Sequence, residues 1–283
     1  MQSSIFLLCS NLKKPFALVI ILLMETLIQT QPKYKLLNSN ILKIIAIIAM
    51  TLDHLAWAIW KGFSTNSIAL AMHILGRLTC PIMCYFIAEG YCYTKNLKKY
   101  IGRIFLFALI SHFPYVFCSF NYIDALSFVP FAHGSPFNQT GVLWAFAWGL
   151  ILIRVHDSKL KIPLKILLTI LILAASFPAD WSCIAPMIIL SFWANRGKFV
   201  KQMFWMMFWV FVYGIVYFFA IDIIYGILQL GVCFAIPILL LYNGQRGRFP
   251  VANKFLKWVF YIYYPLHLTV IGILLFFGII PVF

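Results

Sequence analysis

Asp53 and His54 stand side by side in "AMTLDHLAWA", residues 49–58, inside a run otherwise fit for hydrocarbon. An aspartate at the centre of a membrane helix costs about 2.5–3.5 kcal/mol on insertion scales, so the pair asks for a use. An imidazole of near-neutral pKa suits the removal of a proton from an attacking amine or hydroxyl. A guanidinium suits the steadying of the oxyanion that follows. Arg77, in "HILGRLTCPIMCYFIAEGYCYTK", is the natural counter-ion of Asp53, because an unpaired buried charge is the costly outcome. Neighbours on a helix point about 100° apart, so Asp53 and His54 do not pair well with each other and each needs a partner elsewhere. Around this centre the sequence offers Glu89, which holds a proton or pairs with Arg103, then His112, then Asn138 and Gln139 at the mouth of a later span, and His267 just after Pro265. His73, Arg77, Cys80 and Cys84 share a stripe at spacings of four, three and four, but no matching ligand set stands elsewhere and no metal is expected. Pro81 and Gly76 predict a kink beside Arg77. His133 reads as a solvated loop histidine or the lining of an acceptor entrance, and Asp180 with Trp181 marks a short turn.

The elements that must position these groups are membrane helices. Of 283 residues, 64% are hydrophobic and 10% charged, where a soluble domain carries about 25% charged residues. The apolar runs lack the alternation of a barrel strand, so the fold class is all-α, a polytopic membrane helix bundle of about nine transmembrane helices, within a range of about 8–10. The expected spans are about 41–60, 67–93, 101–121, 139–155, 162–179, 181–195, 203–220, 221–242 and 257–281. Lys and Arg number 22 against 7 acids, a net charge of +15; in this setting the excess reads as basic cytoplasmic loops, and no nucleic-acid partner is expected. Basic connections, such as Lys95–Arg103 and Arg154–Lys165, alternate with bare ones along the chain. That alternation places residue 41 on the cytoplasmic side of the cell membrane and the C-terminus outside. At 1.5 Å per residue, Asp53, His54, Arg77, His112 and His267 then lie at similar depths, roughly 15–20 Å into their helices.

Residues 1–35 form an N-terminal extension to a single membrane-embedded domain at 36–283. Its "PFALVIILLMETLI" is short, carries Glu25 and has basic residues on both sides, which suits an interfacial helix, a signal-like segment, or sequence ahead of a start at Met24.

Four stretches, "LKIIAIIAMTLDHLAWAI", "ILGRLTCPIMCYFIAEGYCYTKNLKKYIGRIFLFALISHFPY", "NQTGVLWAFAWGL" and "FYIYYPLHL", resemble the TraX family from about residue 36 to the end. The resemblance implies a relation to integral-membrane acyltransferases, with acyl-CoA, acetyl-CoA above all, as donor and a pilin-like N-terminus or a carbohydrate as acceptor. It places Asp53, His54, Arg77, Glu89 and His267 on motif positions. The family usually carries another polar residue, often Gln, where His112 stands, and an aromatic or apolar residue where Cys80 stands. The expected scheme has His54 as base, Asp53 setting local charge through Arg77, and Arg77 or His267 at the oxyanion. Glu89, Arg103, His112, Asn138 and His267 complete the donor and substrate contacts, and transfer is direct, without an acyl-enzyme on Cys80 or Cys84. A proton-coupled transporter is the alternative, although inverted repeats and paired broken helices are not evident in the sequence. A non-enzymatic assembly factor is a third reading.

Overall fold

The computed structural model describes residues 35–120, 138–247 and 250–283. The N-terminal extension, its Met24 and the outer loop with His133 therefore lie outside the described residues. The chain runs as α1 (Ser39–Ile59), α2 (Ser67–Gly76), α3 (Thr79–Tyr93), α4 (Leu97–Phe120), α5 (Val142–His156), α6 (Ile162–Ser176), α7 (Ile184–Ala194), α8 (Phe199–Ala220), α9 (Ile223–Leu228), a 3₁₀ segment (Gln229–Phe234), α10 (Ala235–Leu240) and α11 (Pro250–Phe276). Side-chain caps open the first two helices. Asn38 Oδ1 accepts from the amides of Asn40 and Ile41, and Asn66 Oδ1 from those of Ile68 and Ala69.

All nine expected spans are helical, and six are long and apolar enough to cross a membrane. The other three, α5, α6 and α7, run only 15, 15 and 11 residues. The cause is a stretch of irregular backbone between α6 and α7 that is buried in protein. Gln139 N donates to Pro178 O at 2.7 Å and Asp180 N to Thr140 O at 2.8 Å, closing a one-bridge ladder between Thr140 and Ala179. Non-helical backbone at this depth is tolerated because its amides and carbonyls find partners within the protein. Two other spans are broken. Gly76 ends α2, and Pro81 cannot bond back to Arg77, so the path turns at Arg77–Leu78, where the kink was expected. The span at 221–242 is interrupted by the 3₁₀ segment, which the sequence pattern did not announce.

Packing closes a ring. α1 contacts α2, α3 and α11; α11 contacts α4; α4 contacts α5; α5 contacts α7; and α7 returns to α3. α6 leans on α5 from outside and α8 on α7. One apolar cluster runs through the ring, with Leu42, Ile82, Phe146, Leu150, Ile188 and Phe192 fully buried. The outer faces stay apolar: Ile166 and Ile170 on α6 and Phe204 and Phe211 on α8 are exposed, as lipid-facing side chains must be.

Candidate functional site

Within the ring lies a partly open cavity lined by Met50, Asp53 and His54 of α1, Gly76 and Arg77 at the α2–α3 break, Thr79 and Cys80 of α3, Val142 and Phe146 of α5, Asp180 and Trp181 of the buried turn, and Tyr264 of α11. Its water-accessible space is about 30 Å³, room for about two waters.

Its charged heart is Asp53. Oδ1 accepts from Arg77 Nη2 at 3.2 Å and pairs with His73 Nδ1 at 2.8 Å. The Asp53–Arg77 partnership expected from the sequence is present, and His73 is the partner that reading missed. The signal was there, because His73 and Arg77 stand four apart and share one face, so both reach the same carboxylate. Arg77 is 7% exposed and is held from three sides. Beyond Asp53, Nη1 donates to Gln229 Oε1 at 3.1 Å and Nε to His73 O at 3.4 Å. The guanidinium also lies over the Trp181 ring, 5.5 Å from its centroid. These bonds occupy three of the five guanidinium N–H groups and leave two for a ligand. Gln229 opens the 3₁₀ segment, so the two helix breaks meet through Arg77. Gly76 is required by contact: a Cβ there would stand 2.6 Å from Asp53 Oδ1.

His54 turns away from Asp53 toward α11. Its Nδ1 lies 2.9 Å from Met50 O and 3.1 Å from His267 Nε2. His267 Nδ1 lies 2.8 Å from Tyr263 O, and its ring stacks on Tyr263 with an interplanar angle of 6°. A carbonyl only accepts, so each histidine carries its proton on Nδ1. His267 Nε2 then presents a lone pair to the His54 Nδ1–H, and His54 Nε2 is left unprotonated. Among the described residues that nitrogen makes no hydrogen bond, and His54 lines the cavity. The pair thus fixes which nitrogen of His54 can act as base.

The buried turn completes the wall. Trp181 and Ser182 have φ of 61° and 45°, and Asn138 has 54°. Such values cost a non-glycine residue about 1–3 kcal/mol each and persist only where the surroundings over-determine them. In this conformation the Trp181 ring lies under the Arg77 guanidinium. Burial pushes the Asp180 carboxyl up to about 6, opposed by the Arg77 charge. Tyr264 Oη accepts from Val142 N at 3.3 Å and closes the side facing α5.

The remaining sequence candidates lie elsewhere. His112 is buried on α4, its Nδ1 3.2 Å from Thr140 Oγ1, behind the turn rather than in the cavity wall. Asn138 stands just before the Gln139–Thr140 segment that pairs with that turn, and it does not line the cavity. Glu89 sits nine residues beyond Cys80 on α3, about 13 Å along the helix. It pairs with Arg196 Nε at 3.0 Å, and not with Arg103. Arg103 lies between the rings of Tyr100 and Tyr261, at 5.6 and 5.2 Å. Arg196 follows Glu89 by 107 residues, a separation no local pattern could have read. Among the described residues no group of three or more His, Cys, Asp or Glu is placed to hold a metal.

The chain is similar to a protein of Dichelobacter nodosus described as probable fimbrial assembly protein FimC, serogroup H1, with 37% identity over 141 residues. That match covers 50% of this chain and 55% of the other, so the chain spans about half the length of that curated relative. No solved structure matches. A family model described as TraX protein matches residues 38–275, from the cap of α1 nearly to the end of α11, and the chain therefore belongs to the TraX family.

Proposed function

We propose that the protein is an integral-membrane acyltransferase that moves an acetyl or other short acyl group from acyl-CoA to an amine or hydroxyl acceptor. The observation that carries this reading is the cavity that His54 shares with the Asp53–Arg77 pair, the Nδ1 side of His54 being taken up by Met50 O and His267. A base and a fixed cation lining one small space are what acyl transfer requires. His54 Nε2 takes the proton of the attacking group. The two N–H groups of Arg77 not committed to Asp53, Gln229 and His73 stabilise the oxyanion. His267 acts through His54, as a positioning residue. The donor enters from the side of the basic connections, read as cytoplasmic, and the acceptor waits on the opposite side, where the C-terminus lies. The fimbrial description of the relative favours a pilin-like protein N-terminus over a glycan as acceptor.

The test uses purified membranes, labelled acetyl-CoA and a His54→Ala variant beside wild type. Label transfer or donor cleavage that disappears in the variant is the expected result; equal activity in both refutes the assignment. A proton-coupled transporter is the second reading, favoured by one observation, the pair of broken helices joined through Arg77 and Gln229. Proton-dependent solute flux without label transfer would establish that reading instead.

A further inference from the structure

Acetylation of an amine poses a proton problem that one histidine does not solve. An α-amine has a pKa of about 7.7–8.0, so at pH 7 only about a tenth of it is neutral and nucleophilic. The ammonium must shed one proton before attack and a second as the N–C bond forms. His54 has a single open nitrogen. Asp53 is engaged, since its Oδ1 carries both Arg77 and His73.

Asp180 is the other carboxyl of the cavity. Its main chain is fixed by the bond to Thr140 O, and the residues that follow it hold a strained backbone. No ion pair engages its carboxylate among the described residues. The groups that act on it come from every wall: Arg77 and Asp53 from the charged heart, Cys80 from α3, Tyr115 from α4, Tyr213 from α8 and Tyr264 from α11, with His54 lining the same space. Arg77 is the one permanent cation among them, and it is already committed to Asp53.

Resting on the acyl-transfer reading above, we propose that Asp180 is a second proton acceptor of the site, the carboxylate that binds the acceptor's ammonium and takes its first proton while His54 takes the second. The proton account closes. The ammonium gives one proton to the Asp180 carboxylate and becomes a neutral amine. Its nitrogen bonds to the thioester carbon, and the proton it then sheds goes to His54 Nε2. The C–S bond breaks, the CoA thiolate leaves and takes that proton from the imidazolium, and Asp180 returns its own to water before the next turnover. A carboxyl that titrates near 6 is ionised and receptive at neutral pH. A hydroxyl acceptor, or an amine that is already neutral, needs only His54.

The experiment compares two nucleophiles on the full-length protein in membranes: a synthetic peptide with a free α-amine, and hydroxylamine, which is neutral at pH 7. In Asp180→Asn the ratio of peptide to hydroxylamine transfer at pH 7 falls about tenfold, the deficit expected when only the neutral tenth of the amine reacts. The acidic limb of the peptide kcat/KM moves from near 6 up to the amine's own pKa, about 7.7–8.0. Asp180→Glu restores the ratio. Hydroxylamine transfer also reports that each variant is folded. An unchanged ratio and limb in Asp180→Asn, with transfer still dependent on His54, overturns this proposal alone, as does wild-type transfer to hydroxylamine but not to the peptide. Wild type that transfers label to neither nucleophile overturns the acyltransferase reading and this proposal with it.

Discussion

Replacing Asp53 by Asn tests the charged heart most directly. The change keeps the shape and an acceptor oxygen but removes the charge, leaving the Arg77 cation, 7% exposed, with only neutral hydrogen-bond acceptors. Breaking a buried pair from one side costs about 3–5 kcal/mol, chiefly because the surviving charge is left uncompensated. Asp180 stands close enough to act on Arg77 and offsets part of that loss, so the lower end, about 3 kcal/mol, is expected. At about 2–4 °C per kcal/mol for a chain of this size, the melting temperature falls by about 6–12 °C. Removing both charges, in Asp53→Asn with Arg77→Met, eliminates the orphan cation and recovers more than half of the loss. Acetyl transfer returns in neither variant, because the oxyanion donor is absent from one and misplaced in the other. The assay is thermal unfolding of detergent-solubilised protein read by tryptophan fluorescence, with label transfer measured on the same preparations. A double variant less stable than Asp53→Asn, or a single variant as stable as wild type, refutes the argument that these two groups form a buried, mutually dependent pair.

Gly76→Ala places a methyl group against Asp53; overpacking of this kind costs about 1–3 kcal/mol, and transfer should fall further than stability when both are measured. His267→Phe removes one acceptor from the His54 Nδ1–H but leaves Met50 O at 2.9 Å, so kcat falls by about tenfold or less, whereas loss of the base itself costs about 10²–10⁴; equal losses in the two variants would make His267 more than a positioning residue. Replacing Cys80 and Cys84 together by Ala leaves transfer in place if it is direct, and abolishes it if a thioester forms on the enzyme. Asp180 holds its proton more tightly in the folded protein, where it titrates near 6, than in the unfolded chain, where it titrates near 3.8. Its contribution to stability is thus full below about pH 4 and lost as pH rises to about 6, and melting curves of wild type minus Asp180→Asn across that range should show this fall.

Much of the centre was legible because it obeys local rules. A carboxylate and a guanidinium in adjacent apolar spans demand one another, and Asp53 and Arg77 do meet. Gly76 and Pro81 announce a break by backbone chemistry alone, and the break lies between them. His267 does stand beside His54, but the sequence did not show that its ring nitrogens face Tyr263 O and His54 Nδ1, because that depends on how α11 packs on α1. Shared depth misled for His112, because depth says nothing about the direction a side chain takes around its helix axis. Asp180 was seen only as a turn marker; that the turn folds inward depends on a ladder to Thr140, about 40 residues earlier in the chain. Gln229 was hidden in an apolar run, and its partner Arg77 lies 152 residues away in the chain.

The shortness of α6 has a consequence for the surrounding lipid. Fifteen residues rise about 22 Å, against a hydrocarbon layer of about 30 Å. The helix sits on the periphery with Ile166, Leu167 and Ile170 exposed, so the bilayer meets a local step and must thin or the helix flanks must reach outward. Reconstitution in shorter-chain phospholipids relieves the mismatch, so the stability of the reconstituted protein should depend on lipid thickness.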